Sequence, residues 1–288
     1  MTQSRNLVNV QSLVRRLDDP SVVSADCRFD LTKPDAGRAA YDDAHIPGAV
    51  VLDLARDLSA PEQVHGGRHP LPDRDAFCHI LGALGIDGSV TVVAYDAPKS
   101  GVTGAARLWW MLRYLGHDQV YVLDGGWPAW VAARGAVSRE VPARAARRFV
   151  PRPRPEMAVG VDDVRRIVAR GGAGIVDSRA PERYRGEVEP IDPVAGHVPG
   201  AVNLPWGDAL GADGCFKPAA VLAERFSGLA GENVVVYCGS GVTACANLLA
   251  MDEAGLDGAR LYPGSWSDWC SYSENPAARG AGEKERKG

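Results

Sequence analysis

The sequence has no long apolar run and no excess of charge of one sign. None of its apolar stretches approaches the ~18 consecutive residues that a membrane-spanning helix requires, and residues 1–10 are polar, without the apolar core of a signal peptide. Its 36 acidic and 32 basic residues leave a net charge of −4. This balance gives no electrostatic reason to expect a nucleic acid or a membrane surface as partner. An apolar content of 45% predicts a soluble globular protein.

Cysteine is sparse and shows no paired spacing. Six cysteines occur in 288 residues, and no two of them form a C-x-x-C pair. The pattern therefore predicts neither a disulfide framework nor a zinc site, and it favours a reducing cytoplasm. We expect no metal and no organic cofactor. The six positions are Cys27, Cys78, Cys215, Cys238, Cys245 and Cys270.

What the sequence does contain is a long-range repeat. The motif H-I-P-G-A-V at 45–50 recurs as H-V-P-G-A-V at 197–202, an offset of 152 residues. Other features recur in the same order, which indicates a duplicated domain. They are a strand that ends in an acid, an arginine two residues later and a tryptophan pair: Asp26, Arg28, Trp127 and Trp130 in the first copy, and Asp177, Arg179, Trp266 and Trp269 in the second.

Each copy alternates short apolar runs with helical patterns. Residues 90–94 and 234–237 are apolar almost throughout, as in strands covered on both faces, and 161–169 has the pattern of a helix. The alternation predicts an α/β fold in which each domain is a mostly parallel sheet flanked by helices. We place the N-terminal domain at 1–138, a solvated linker rich in arginine and proline at 139–156, and the C-terminal domain at 157–288.

One cysteine stands where such folds bind ligands. Cys238 follows an apolar strand and opens the loop C-G-S-G-V-T before a helix, whereas the first copy has Asp96 at this place. Gly239 and Gly241 allow backbone N–H groups to point inward, and the helix start adds positive potential. Both effects should lower the pKa of Cys238 below about 8.5 and favour a nucleophilic thiolate. The alternative is a buried strand cysteine before an ordinary turn.

These residues resemble the tandem-domain rhodanese-type sulfurtransferases, over roughly residues 8 to 272. The resemblance rests on both H-(I/V)-P-G-A turns, D-S-R at 177–179, R-Y-R-G at 183–186, G-G-R-H-P-L-P at 66–72 and the Cys238 loop. It implies two tandem rhodanese-like domains, the first catalytically inactive and the second active, with the active site at the cleft between them. Cys238 would carry sulfur as a persulfide and pass it to a thiol, a thioredoxin-like protein among the candidates, or to cyanide.

The loop resembles that of the 3-mercaptopyruvate sulfurtransferases, whereas thiosulfate-preferring members resemble C-R-K-G-V-T. Those mercaptopyruvate enzymes have a second carboxylate-binding arginine about nine residues after the first, where this sequence has Ile191 or Asp192; Arg185 could substitute. A hydrogen-bonded structural role for His45 is the alternative to the relay that the resemblance suggests. The implied site residues are Cys238 and Ser240 in catalysis, Arg183, Gly239, Gly241, Val242 and Thr243 in donor binding, and Asp35 and His45 as a proton relay to Ser240.

Three other functions share part of this pattern. A thiosulfate:cyanide sulfurtransferase would use the same persulfide chemistry with another donor. A Cys-loop phosphatase needs an arginine that closes the loop around the phosphoryl oxygens, and this loop ends in Thr243 and Ala244. A non-catalytic sulfur-carrier or interaction module would not require the nucleophile with its loop. The sequence favours the mercaptopyruvate sulfurtransferase.

Overall fold

The computed structural model describes residues 4–97, 101–171, 174–229 and 233–282. The chain forms two compact units. The first takes its described residues from Met1–Ala60, Leu71–Arg154 and Gly211–Phe216, and the second from Pro61–Pro70, Pro155–Leu210 and Lys217–Gly288. Residues 98–100, which follow shortly after Asp96 in the first copy, and residues 283–288 at the C-terminal end lie outside the described residues.

The first unit is a parallel sheet with helices. Within the described residues its five strands have the order β1-β5-β4-β2-β3, and every neighbouring pair is parallel. Strands β2 and β4 are buried along their whole length, which explains their almost uniformly apolar sequences. The elements are β1 (Leu7–Val8), α1 (Val10–Val14), β2 (Val22–Asp26), α2 (Ala36–Asp43), β3 (Val50–Val51), α3 (Arg74–Ala83), β4 (Thr91–Tyr95), α4 (Thr103–Tyr114), β5 (Val120–Leu123) and α5 (Gly126–Ala132).

The second unit repeats this architecture with four strands in its described part, in the order β7-β6-β8-β9, again all parallel. Three short 3₁₀ helices also occur, at Pro155–Met157, Trp206–Ala209 and Ser227–Leu229. The duplicated, mostly parallel α/β fold predicted from the sequence is thereby confirmed. The elements are α6 (Val161–Ala169), β6 (Ile175–Asp177), α7 (Pro181–Tyr184), β7 (Val202–Asn203), α8 (Ala219–Phe226), β8 (Val235–Tyr237), α9 (Ala244–Glu253), β9 (Arg260–Leu261) and α10 (Ser265–Trp269).

A buried ion pair lies at the end of one inner strand in each unit. At the end of β6, Arg179 reaches back to both carboxylate oxygens of Asp177, with its Nη2 2.6 Å from Oδ2. At the end of β2, Arg28 makes the same contact with Asp26, also at 2.6 Å. Such paired carboxylate–guanidinium contacts satisfy charges that would be costly to bury alone. The repeated acid-x-arginine pattern is therefore a structural support of the fold.

The segment predicted as a solvated linker is mostly part of the first unit. Residues up to Arg154 belong to that unit, because the backbone of the segment bonds to it: the Arg147 N–H donates to Gly82 O at 2.9 Å and the Arg152 N–H to Leu115 O at 2.8 Å. Arg144 Nη2 also donates to Val22 O at 3.2 Å. The arginine content alone did not reveal these backbone contacts.

Each unit also includes one segment from elsewhere in the sequence. Residues 61–70 pack with the second unit, although they precede most of the first in sequence, and residues 211–216 pack with the first.

Among the described residues, no helix is both long and apolar enough to span a membrane.

Candidate active site

Cys238 lies directly after β8 and is buried. Its sulfur accepts a hydrogen bond from the N–H of Gly241 at 3.1 Å, so the loop does turn a backbone donor toward the sulfur. Gly241 has a φ of +76°, and a Cβ there would stand 2.2 Å from Pro263 O. Only glycine can form this turn. Beyond it, Val242 is buried and Thr243 is the residue before α9.

The first residues of α10 hold the cysteine loop in place. The N–H groups of Trp266 and Ser267 donate to the carbonyl oxygens of Cys238 and Gly239, at 3.0 and 2.9 Å. Ser265 Oγ accepts from the Cys238 N–H at 3.1 Å and donates to Tyr262 O at 2.9 Å. Ser265 does this from a left-handed backbone conformation, with a φ of +56°, which is strained for a residue other than glycine. The loop backbone is therefore fixed before any donor binds.

The corresponding position of the first unit holds a carboxylate instead of a thiol. Asp96 follows β4, and its Oδ2 accepts from the Gly104 N–H at the start of α4, at 2.6 Å. Its Oδ1 accepts from the Ala97 N–H at 2.8 Å. The side chain of the chain itself thus supplies the anion at this helix start. A carboxylate cannot carry a transferable sulfur, which agrees with a first domain that lacks the nucleophile.

The 61–70 segment brings two further polar side chains to the cysteine loop. Gly67 has a φ of +82°, and a Cβ there would lie 2.3 Å from Gly264 O, so the segment approaches α10 as only glycine can. The Gly66 N–H donates to Asp268 Oδ1 at 2.7 Å and the Arg68 N–H to Ser267 Oγ at 3.1 Å. Arg68 and His69 are thereby placed against the loop that α10 holds.

Ser240 is hydrogen-bonded to a histidine that the sequence did not single out. Its Oγ lies 2.7 Å from Nδ1 of His69. His45, in contrast, is fully buried with its two ring nitrogens 2.7 and 3.0 Å from backbone carbonyl oxygens of the first unit. Asp35 is exposed and pairs with Arg56 at 2.8 Å. His45 thus has the contacts of a structural histidine, and the histidine beside Ser240 is His69.

Two guanidinium groups adjoin Gly239. A Cβ built on Gly239 would lie 3.0 Å from Nη2 of Arg68 and 3.4 Å from Nη1 of Arg183. Within the described part of the chain, neither of these two nitrogens makes a hydrogen bond to protein. Among the described residues, one nitrogen of each guanidinium group thus adjoins the loop without a protein acceptor, which is the arrangement that binds an anion.

The remaining nitrogens of these arginines belong to a row of alternating charges, which we term the charge row. Its members, in order of contact, are Arg68, Asp192, Arg183, Glu189, Arg179 and Asp177. Arg183 Nη2 lies 2.6 Å from Glu189 Oε1 and 3.1 Å from Asp192 Oδ2, and Arg68 Nη1 donates to Asp192 Oδ1. Three guanidinium groups and three carboxylates make the row formally neutral. Half-buried Arg185 pairs instead with exposed Glu187, at 2.7 Å.

The two carboxylates beside Arg183 respond differently to their surroundings. Burial raises the pKa of Asp192, and the charges of Arg68 and Arg183 only partly oppose this. Burial also acts on Glu189, but hydrogen bonds from Arg183 and from the Asp192 N–H outweigh it and lower its pKa. The arginines favour the ionised form of both carboxyl groups, and burial outweighs them only in the pKa of Asp192.

Sequence reasoning thus missed Arg68, His69 and Asp192. The available signal was the G-G-R-H-P run itself: two glycines with unusual backbone freedom beside an arginine and a histidine. In the sequence, this run indicates only the family resemblance. Its contacts with α10 place it beside the cysteine loop.

Comparisons with known proteins agree with this geometry. The rhodanese-like domain matches residues 9–133 and 160–272. The chain is 44% identical to a probable 3-mercaptopyruvate sulfurtransferase of Pseudomonas aeruginosa, over 96% of this chain and 99% of that protein. It is 40% identical to a putative thiosulfate sulfurtransferase, SseB, of Mycobacterium tuberculosis, over 88% and 90%. The crystal structure of the 3-mercaptopyruvate sulfurtransferase SseA from Escherichia coli superposes with a TM-score of 0.79 at 31% identity, covering 92% of this chain and all of that one.

The family resemblance inferred from the sequence is therefore confirmed along both halves of the chain. The two matched domains correspond to the two parallel α/β units. The second unit has Cys238 at the position where the first has Asp96. The chain belongs to the rhodanese-like family and is a tandem-domain sulfurtransferase.

Proposed function

We propose that the chain transfers sulfur from 3-mercaptopyruvate to a thiol or to cyanide through a persulfide on Cys238. The observation that carries the proposal is the convergence on one loop of a hydrogen-bonded sulfur and two guanidinium groups. The Gly241 N–H donates to the sulfur, and Arg68 Nη2 and Arg183 Nη1 lie beside Gly239. A donor with a carboxylate at one end and a sulfur at the other fits this arrangement.

In the first half-reaction, Arg183 and Arg68 hold the donor carboxylate. The Cys238 thiolate attacks the donor sulfur, a new S–S bond forms and the C–S bond of the donor breaks. The electron pair of that bond passes to carbon, and the resulting pyruvate enolate takes a proton from Ser240, which His69 replaces through their hydrogen bond. Pyruvate leaves, and the outer sulfur remains on Cys238 as a persulfide.

In the second half-reaction, an acceptor removes the outer sulfur and regenerates the Cys238 thiolate. The fixed backbone from Gly239 to Thr243 surrounds the persulfide and stabilises its negative charge. Cyanide or a small thiol can serve as acceptor, and a thioredoxin-like protein is the macromolecular candidate. The six cysteines, all free of disulfides, support a reducing compartment such as the cytoplasm.

The site assignment differs in two respects from the sequence prediction. His69 replaces the proton that Ser240 gives up, in place of Asp35 and His45, because Asp35 pairs with Arg56 and both ring nitrogens of His45 lie against backbone carbonyl oxygens. The second carboxylate-binding arginine is Arg68 from the 61–70 segment, in place of Arg185. Catalysis therefore rests on Cys238, Ser240 and His69, and donor binding on Arg183, Arg68 and the loop backbone.

A second candidate function is a thiosulfate sulfurtransferase, and Arg68 is the observation that favours it. Two guanidinium groups beside Gly239 suit a dianion, and one relative is described as a putative thiosulfate sulfurtransferase. Against it stands the neutral charge row, in which Asp192 and Glu189 already balance these cations.

Steady-state kinetics with both donors and cyanide as the common acceptor test the donor assignment. We expect kcat/KM to be higher for 3-mercaptopyruvate than for thiosulfate. The reverse order would reassign the donor and leave the persulfide chemistry of Cys238 in place. Transfer from neither donor would contradict the proposed function as a whole.

A further inference from the structure

Asp192 occupies a central place in the donor site without being able to bind an anionic donor itself. One of its oxygens accepts from Arg68 and the other from Arg183, at 3.1 Å in the second case. Its side chain is only 3% exposed, and its own N–H is tied to Glu189 Oε1 at 3.2 Å. A buried carboxylate therefore bridges the two guanidinium groups that face Gly239.

We propose that Asp192 determines donor specificity by fixing the net charge of the Arg68–Arg183 pair, so that the site prefers a monoanionic carboxylate donor to a dianionic one. The inference rests on the proposed function of the same site. When Asp192 is ionised, its negative charge lies in contact with both Arg68 and Arg183 and offsets one of their two positive charges. Glu189 supplies a second negative charge next to Arg183. A donor with one negative charge is then bound through Arg68 Nη2 and Arg183 Nη1, whereas a second negative charge has no further cation of the charge row to offset it.

Asp192 is better placed for this role than Glu189. Glu189 is shared between Arg183 and Arg179, and Arg179 in turn contacts buried Asp177 in the structural ion pair of β6. Glu189 thus connects the site to the core of the unit. Asp192 contacts only the two arginines that adjoin the loop, among the ion pairs of the described residues. A change of charge at Asp192 therefore acts on the donor site first.

The test is Asp192→Asn in the full chain, with kcat/KM measured for thiosulfate and for 3-mercaptopyruvate at one cyanide concentration. Loss of the negative charge should favour the extra charge of thiosulfate. The ratio of thiosulfate to mercaptopyruvate efficiency should rise about tenfold, as one unit charge gives at ~6 Å and an effective dielectric of ~40. Raising the salt concentration should diminish the difference.

Two variants serve as controls. Glu187→Gln removes the same charge from the same loop, but Glu187 pairs with half-buried Arg185 outside the charge row, and its ratio should stay at the parental value. Asp192→Glu keeps the charge and should keep the ratio within about threefold. A role of Asp192 in shape alone would instead lower both efficiencies equally in the Asn variant and leave the ratio unchanged, and that result would overturn the inference.

Should Asp192→Asn fail to fold, Arg68→Gln tests the same claim with the opposite sign. Removal of one cation should lower the ratio of thiosulfate to mercaptopyruvate efficiency by about tenfold, and a ratio that does not fall would contradict the inference. Failure of this inference is distinguishable from failure of the proposed function. If the parent protein uses mercaptopyruvate but the ratio of the two efficiencies does not respond to these substitutions, only the role of Asp192 is refuted.

Discussion

Replacement of Arg183 by alanine is expected to weaken donor use strongly while leaving the fold intact. Arg183 is 18% exposed, its Nη1 faces Gly239, and the variant loses the charged hydrogen bonds that we assign to the donor carboxylate. Such bonds contribute about 1.5–3 kcal/mol, so kcat/KM for 3-mercaptopyruvate should fall by about 10- to 150-fold. The partners of Arg183 are not left alone, because Glu189 keeps Arg179 and Asp192 keeps Arg68.

The assay follows pyruvate release over a range of donor concentrations. Arg183→Lys should give an intermediate loss, since lysine keeps the charge but cannot make the paired contacts of a guanidinium. Arg185→Ala is the matched control: Arg185 lies two residues further on and pairs with Glu187 at the surface. The reasoning is refuted if Arg183→Ala retains the parental kcat/KM, or if Arg185→Ala loses as much.

Two further predictions concern residues that reach the cysteine loop from the N-terminal half of the sequence. His69→Ala should lower kcat with 3-mercaptopyruvate by about 100-fold, in the range of general acid catalysis. It should affect thiosulfate much less, because sulfite leaves without needing a proton. An equal loss with both donors, or a similar loss in the control variant of exposed His79, His79→Ala, would show that His69 does not deliver the proton. A chain reduced to residues 157–288 should have less than about a hundredth of the full activity, since it lacks both Arg68 and His69, and a folded fragment as active as the whole chain would contradict the site.

The sequence was most informative where neighbouring residues determine the outcome. The helix expected over 161–169 occurs as Val161–Ala169, and the strand expected over 234–237 as Val235–Tyr237. Local hydrophobic periodicity decides both. The pattern Asp177-x-Arg179 likewise predicted a strand end, which the structure shows as a buried ion pair.

The donor site could be predicted only in part, because half of it comes from distant segments. Arg68 meets Asp192 across 124 residues of sequence, through a backbone approach that depends on Gly67 and α10. The family resemblance implied a second arginine at Ile191 or Asp192, where the sequence has none. No local pattern could show which distant residue supplies a second cation. For the same reason the sequence offered His45, in a turn with a recognisable motif, as a relay candidate, whereas the histidine hydrogen-bonded to Ser240 is His69.

The most direct test of the account is the mass of the protein after treatment with 3-mercaptopyruvate and removal of excess donor. Formation of a persulfide by thiolate attack should add about one sulfur, ~32 Da, which peptide mapping should locate on Cys238 and which cyanide should remove with release of thiocyanate. Cys238→Ser should show neither the added mass nor turnover. Sulfur located on another cysteine, or full turnover by Cys238→Ser, would contradict the central claim that Cys238 carries the sulfur.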